Sequence, residues 1–137
     1  MIILDTNVVS ELMRDGPDSR VLDWIESNPP GSTFTTAVTV GEIAYGFARL
    51  PEGKRKRALA KRVAEAFDLF DRFTLPFDSA AASVYGPLAA ECERKGRPIT
   101  AADAQIAAIC IVHGAPLASR NVKDFAATAV SVVNPSE

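Results

Sequence analysis

Met1-Ile2-Ile3-Leu4-Asp5-Thr6-Asn7 opens the chain, and the change of character between Leu4 and Asp5 decides how the fold is read. Four apolar residues, two of them β-branched, suit a short buried strand. In an open parallel sheet, chemistry collects at the carboxyl ends of the strands. A carboxylate at that edge is either a helix N-cap or a site residue. Glu42 and Asp103 stand in similar settings, each beside an apolar helical stretch. Three separated carboxylates that a fold can gather suggest a divalent cation site, because Mg²⁺ and Mn²⁺ prefer hard oxygen ligands.

Outward from this stretch, short β-prone runs alternate with helical patterns. Asn7 to Met13 reads as a helical turn broken by Asp15-Gly16-Pro17, and Ser19 to Ser27 as a second helix stopped by Asn28-Pro29-Pro30-Gly31. Thr33-Phe34-Thr35 is extended. Val38, Val40, Ile43, Ala44 and Phe47 then make a helical face, with Thr36 or Thr39 as its cap and Glu42 within it. A long amphipathic helix is expected over Lys54 to Phe73. Leu75-Pro76-Phe77 is a brief extended segment, and Asp78 or Ser79 caps a helix that runs to Lys95 and carries Pro87 inside it. Ala101 to Val112 is a further helix after Thr100, and His113, just before Gly114, suits its C-terminal cap. Pro116-Leu117-Ala118 and Val130 to Val133 read as strands, with a turn at Ser119-Arg120-Asn121 and a short helical turn at Asp124-Phe125 between them. Strands alternating with helices imply an α/β fold with a mainly parallel sheet.

The chain has 137 residues, room for one domain, residues 1–137, with a real core. No apolar run approaches the length needed to span a bilayer, and no basic leader precedes the first strand. Cys92 and Cys110 form no closely spaced pair, so they are expected to be reduced, in a cytoplasmic protein without membrane contact. The net charge of −2 does not announce a polyanionic partner. Its distribution is more telling. Lys54, Arg55, Lys56, Arg57, Lys61 and Arg62 crowd one segment, which is either a solvated helix start or a phosphate-attracting patch beside an acidic site.

Each acid also has a plain structural reading. Asp5 suits an N-cap, Glu42 an exposed helix position, and Asp103 the compensation of a helix dipole. Their context weighs more. Leu4-Asp5-Thr6-Asn7, Thr39-Val40-Gly41-Glu42-Ile43, Ile99-Thr100-Ala101-Ala102-Asp103 and Ser119-Arg120-Asn121-Val122-Lys123-Asp124-Phe125 follow one another in an order and spacing that resembles the PIN-domain family, specifically the VapC and FitB-like toxins of bacterial toxin–antitoxin pairs. The individual motifs are short, but the four in order span essentially the whole chain. The resemblance implies a three-layer α/β/α sandwich around a parallel sheet, with an acidic pocket for Mg²⁺ or Mn²⁺. It assigns Asp5, Glu42 and Asp103 as metal ligands and catalytic residues, and Thr6 and Asn7 as additional site residues. At the position where many members carry a fourth acid this chain has Asn121, an oxygen donor without charge. Asp124 nearby suits either a further site role or a helix cap, and Arg120 either a phosphate contact or surface solvation.

The implied reaction is metal-dependent hydrolysis of RNA phosphodiester bonds by a metal-activated water. The implied partners are an RNA substrate and a cognate small DNA-binding antitoxin whose tail covers the pocket, with a homodimer and a larger assembly with antitoxin. Phe47 and Leu50 suit core or an antitoxin groove, Phe67 and Phe70 core. The alternative is a non-catalytic PIN-like module that binds RNA or antitoxin, which Asn121 keeps open. His113 is the one histidine, which argues against a ribonuclease with a histidine acid–base pair. A phosphoacceptor domain of receiver type is disfavoured, since no second acid accompanies Asp5.

Overall fold

The computed structural model describes residues 1–137. Five short strands, β1 (Ile2–Leu4), β2 (Thr33–Thr36), β3 (Thr74–Leu75), β4 (Leu117–Ala118) and β5 (Val132–Val133), form one sheet in the order β3-β2-β1-β4-β5. Every pairing is parallel, with Ile3 opposite both Phe34 and Leu117. The helices are α1 (Thr6–Leu12), α2 (Ser19–Glu26), α3 (Ala37–Ala48), α4 (Lys54–Phe70), α5 (Ser79–Arg94) and α6 (Ala101–His113). The three-layer arrangement expected from the sequence is present, and the sheet is wholly parallel.

β1 lies at the centre with helices over both faces, and its residues divide accordingly. Ile2 and Leu4 join Val8, Val21, Ile43 and Val63 in a core under α1 to α4. Ile3 points the other way, to Ile106, Ile109 and Leu117 under α5 and α6. An all-apolar strand is therefore required here, because alternation would bury a polar residue on one side. Full burial of such an Ile or Leu side chain stabilises the fold by about 1.5–3 kcal/mol. Phe70 is buried in the first core and Phe67 packs against it, as expected of them. Six residues of α6 (Ala104, Ile106, Ala107, Ala108, Ile109 and Cys110) are buried, so this helix lies in the interior rather than on it.

Caps fix where the helices begin, and through them the site. The Asp5 carboxylate accepts from the Thr6 N–H at 2.8 Å, the Thr36 hydroxyl from the Thr39 N–H at 3.1 Å, and the Thr100 hydroxyl from the Asp103 N–H at 3.2 Å. Asp78 caps α5 through the Ala81 N–H, and α5 runs unbroken through Pro87. Several boundaries differ from the sequence reading. α4 ends at Phe70 and tightens into a 3₁₀ turn over Asp71–Phe73, while β3 begins at Thr74 and β5 is confined to Val132–Val133. His113 is the last residue of α6, but the cap belongs to Gly114. Its φ of +59° lets the chain turn left-handed, so that the Ala115 N–H reaches the Cys110 carbonyl at 2.9 Å.

Candidate active site

Asp5 lies at the carboxyl edge of the sheet, within reach of the charges of Glu42 and Asp124, and its own charge reaches Asp103. Asp5 follows β1 directly, is 3% exposed and is the N-cap of α1. One carboxylate oxygen faces the start of α1. The other, Oδ2, accepts from the Ser119 hydroxyl at 2.7 Å and from the Asn7 amide at 3.1 Å. Ser119 follows β4, the neighbour of β1, and is fully buried. Its oxygen also accepts from the Asn7 amide at 3.1 Å and from the Asn121 N–H at 3.0 Å. Ser119 thus ties Asp5, Asn7 and Asn121 together, although the sequence offered it only as a turn residue at the head of the late motif. Its signal was its place immediately after an apolar strand neighbouring the first.

Glu42 arrives from α3. Its Oε1 accepts from the Thr6 hydroxyl at 2.7 Å. Because that proton is committed to Glu42, Thr39 donates to Thr6 across their 3.1 Å contact, and Thr36 donates to Thr39 at 3.4 Å. Three hydroxyls therefore line up Thr36, Thr39, Thr6, each pointing its proton toward Glu42, an alignment in which hydrogen bonds reinforce one another. Thr39, which the sequence offered only as a cap candidate and a motif residue, is fully buried one turn before Glu42.

Asp103 sits in the first turn of α6, half-buried. Burial, the Asp5 charge, and the charges of Asp124 and Glu42 push its carboxyl up to about 6. Asp5 is raised chiefly by its burial and further by the charges of Glu42 and Asp124, while Ser119 and the Thr6 N–H pull it back. Asp5 and Asp103 thus both feel the charges of Glu42 and Asp124, and Asp103 also that of Asp5. Asp124 makes no side-chain cap for its 3₁₀ turn, Val122–Phe125, yet its charge reaches both Asp5 and Asp103. Asn121 caps that turn by position alone, its side chain exposed and its backbone N–H bonded to Ser119.

No three His, Cys, Asp or Glu side chains stand close enough to form a ready-made cage. Mg²⁺ needs none. It keeps several waters and binds through one or two carboxylates together with substrate oxygens. The donors present, carboxylates and hydroxyls, are all hard oxygens, and their mutual repulsion is what a divalent cation relieves. The residues fit such an ion.

Arg120 is not brought into the acidic cluster. Its guanidinium is engaged by the buried Glu11 and by Ser136, so the structure offers no free Arg120 for a phosphate. The basic segment of α4 splits. Lys56 turns inward, bonding the Leu50 carbonyl at 3.1 Å over the Phe47 ring, whereas Lys54, Arg57 and Lys61 are solvated. Arg55 and Arg62, with Arg14, line a groove of about 650 Å³ that starts at Thr6 and Glu42 and runs between α1, α3 and α4. Phe47 and Leu50 belong to its wall. Both cysteines are buried and free, and burial pushes the Cys110 thiol up to about 12. No helix is long and apolar enough to cross a membrane.

Comparison with known proteins agrees with the fold. The chain is 38% identical to VapC ribonuclease Y4jK of Sinorhizobium fredii over 138 residues, covering 100% of this chain and 99% of the relative. It is 38% identical to Toxin FitB of Neisseria gonorrhoeae over 136 residues, 98% of each. Among solved structures, FitAB bound to an IR36 DNA fragment superposes with a TM-score of 0.90 at 38% identity, covering 100% of this chain and 96% of that one. The PIN domain family matches residues 2–130, with β1, all six helices and every acid of the cluster inside the match, and the chain belongs to that family.

Proposed function

We propose that this chain is the toxin of a toxin–antitoxin pair and acts as an endoribonuclease dependent on Mg²⁺, with Mn²⁺ as a substitute. The observation that carries the reading is the electrostatic strain at the sheet edge: Asp5 and Asp103 are both raised by burial and by the neighbouring acids, Asp103 to about 6. Such a cluster is unfavourable alone and favourable around a divalent cation. The ribonuclease and toxin names of relatives alike over their full length support the substrate and the biological role.

Asp5, Glu42 and Asp103 would hold the ion, with Asp124 adding negative charge and Asn121 a neutral oxygen. When bound, the ion supplies an activated water at neutral pH and offsets charge on the phosphodiester. The chain's own groups do the rest. Ser119 and Asn7 fix Asp5 Oδ2, and the Thr36–Thr39–Thr6 line orients Glu42. Asp103 reaches the site from the first turn of α6, where the Thr100 cap fixes the start of the helix. Arg14, Arg55 and Arg62 attract the strand flanking the cleaved bond.

A DNA-binding antitoxin and a dimeric toxin complete the proposal. FitAB, alike over the whole chain, is seen on DNA. The protein works in the cytoplasm in this reading. The second reading, a PIN-like module that binds RNA or antitoxin without cutting, is favoured by Asn121 alone. Purified, partner-free protein incubated with a mixed RNA pool separates them. The nuclease cuts with Mg²⁺ or Mn²⁺, stops with chelator, and is inactive as Asp5→Asn. Metal binding without cleavage would leave the binding module.

A further inference from the structure

Arg120 and Glu11 lie outside the acidic cluster, yet they are joined to it by an unbroken set of hydrogen bonds. Glu11 is a carboxylate on α1 with 2% exposure. Its Oε1 pairs with Arg120 Nη2, and its Oε2 accepts from the Asp18 N–H at 3.3 Å. Arg120 Nε donates to Ser136 Oγ at 2.9 Å, which ties in the C-terminal segment. Arg14 and Asp18 complete the charged surroundings, at 3.5 Å from Glu11 and 3.9 Å from Arg120. Arg120 holds the Glu11 carboxyl below its ordinary range.

From this pair the path runs inward. The Arg120 N–H donates to Asn7 Oδ1 at 3.2 Å, and the Asn7 amide then donates to both Asp5 Oδ2 and Ser119 Oγ at 3.1 Å. Asn7 and Glu11 are four residues apart on α1, hence on one face. Asn7 from α1 and Ser119 from the end of β4 position Asp5. The sheet places Ser119 through the Asp5 N–H to Ala118 carbonyl and Ser119 N–H to Val133 carbonyl bonds, both 2.9 Å, and the loop after it needs a further tie to α1 to hold Asn7 in the same register. Arg120 is that tie. We infer that the Glu11–Arg120 ion pair is a latch that positions Asp5 through Asn7 and Ser119, making both members positioning residues for the metal-dependent reaction rather than contacts to substrate.

The inference rests on the nuclease reading, and its test keeps the two apart. Full-length wild type, Glu11→Gln, Arg120→Gln and Arg120→Lys are compared by Mn²⁺ titration calorimetry, by RNA cleavage kinetics and by the salt dependence of RNA binding. Loss of a group that orients a metal ligand typically costs ten- to a hundredfold in affinity or activity. Glu11→Gln and Arg120→Gln should therefore each weaken Mn²⁺ binding and lower kcat by about ten- to a hundredfold, with KM and salt slope unchanged. Arg120→Lys, which keeps a cation for Glu11, should recover most of both.

A phosphate-binding Arg120 predicts the opposite pattern: raised KM and a shallower salt slope for Arg120→Gln with Mn²⁺ binding intact, and tighter RNA binding for Glu11→Gln, which would free the arginine. That pattern, or wild-type Mn²⁺ affinity in both neutral variants, overturns the latch. Should Arg120→Gln fail to fold with its buried partner charge unpaired, Glu11→Gln alone carries the decision. A wild type that neither binds Mn²⁺ nor cuts RNA overturns the nuclease reading and the latch with it.

Discussion

Replacing Asp103 by Asn should make the metal-free protein more stable at neutral pH while abolishing its response to metal. The Asp103 carboxyl has an ordinary value of 3.8 and is raised to about 6 in the folded chain. Above about pH 6 it is ionised in both the folded and unfolded states, and the folded state bears the full cost of holding that charge among its neighbours. As pH falls, the folded form takes up its proton first and the cost shrinks, vanishing below 3.8. One pKa unit is about 1.4 kcal/mol, so the ceiling is about 3 kcal/mol. Asp103 is half-buried, and solvent screening reduces this to about 1–1.5 kcal/mol. For a domain of this size that is a rise in Tm of about 3–6 °C. Thermal unfolding of both proteins in chelator at pH 7.5 and at pH 4 measures it. The variant should be the more stable at pH 7.5, and the difference should close toward pH 4. With Mg²⁺ added at pH 7.5, wild type should gain stability by mass action and the variant should not. A variant less stable than wild type at pH 7.5 in chelator would refute the reasoning, since Asp103 would then be a structural cap rather than a strained ligand.

Asn121→Asp adds a charge at the neutral position of the site, and Mn²⁺ calorimetry should show binding tightened by about tenfold. Arg55→Ala should weaken RNA binding at low salt and reduce the slope of log affinity against log salt by about one, with Mn²⁺ affinity unaltered. Arg62→Ala should do the same with some loss of stability, because its Nε also donates to the Met13 carbonyl at 2.7 Å. Ile106→Ala empties a fully buried position in α6, and denaturant unfolding should register a loss of about 2–5 kcal/mol.

The strands and caps were legible because they rest on local rules. An apolar run ending in Asp5, threonines placed before helical faces, and Gly114 after α6 each state their structure within a few residues. So did the order of the four acidic segments, which carried the family. What escaped the sequence was long-range. Ser119 reads as a turn residue until β4 is set beside β1. Glu11, on a seven-residue helix, meets Arg120 only once the fold brings together residues 109 positions apart. The same contact drew Arg120 away from the phosphate role it was offered. The split of the basic segment, Lys56 inward and Arg55 and Arg62 toward the groove, depends on how α4 rotates against α3, which periodicity alone does not state.

The hydrogen bond from Ser119 to Asp5 spans 114 positions. β1 is the first strand to be synthesised and lies in the middle of the sheet, with one neighbour, β2, arriving early and the other, β4, almost last. Contacts of such separation must wait for the chain between them. During synthesis Asp5 has no Ser119 and α1 has no Arg120 until β4 and the loop after it have been made. The Ser119 bond to Asp5 Oδ2 can therefore form only after β4 has joined β1, so the surroundings of Asp5 are completed late in the assembly of the sheet.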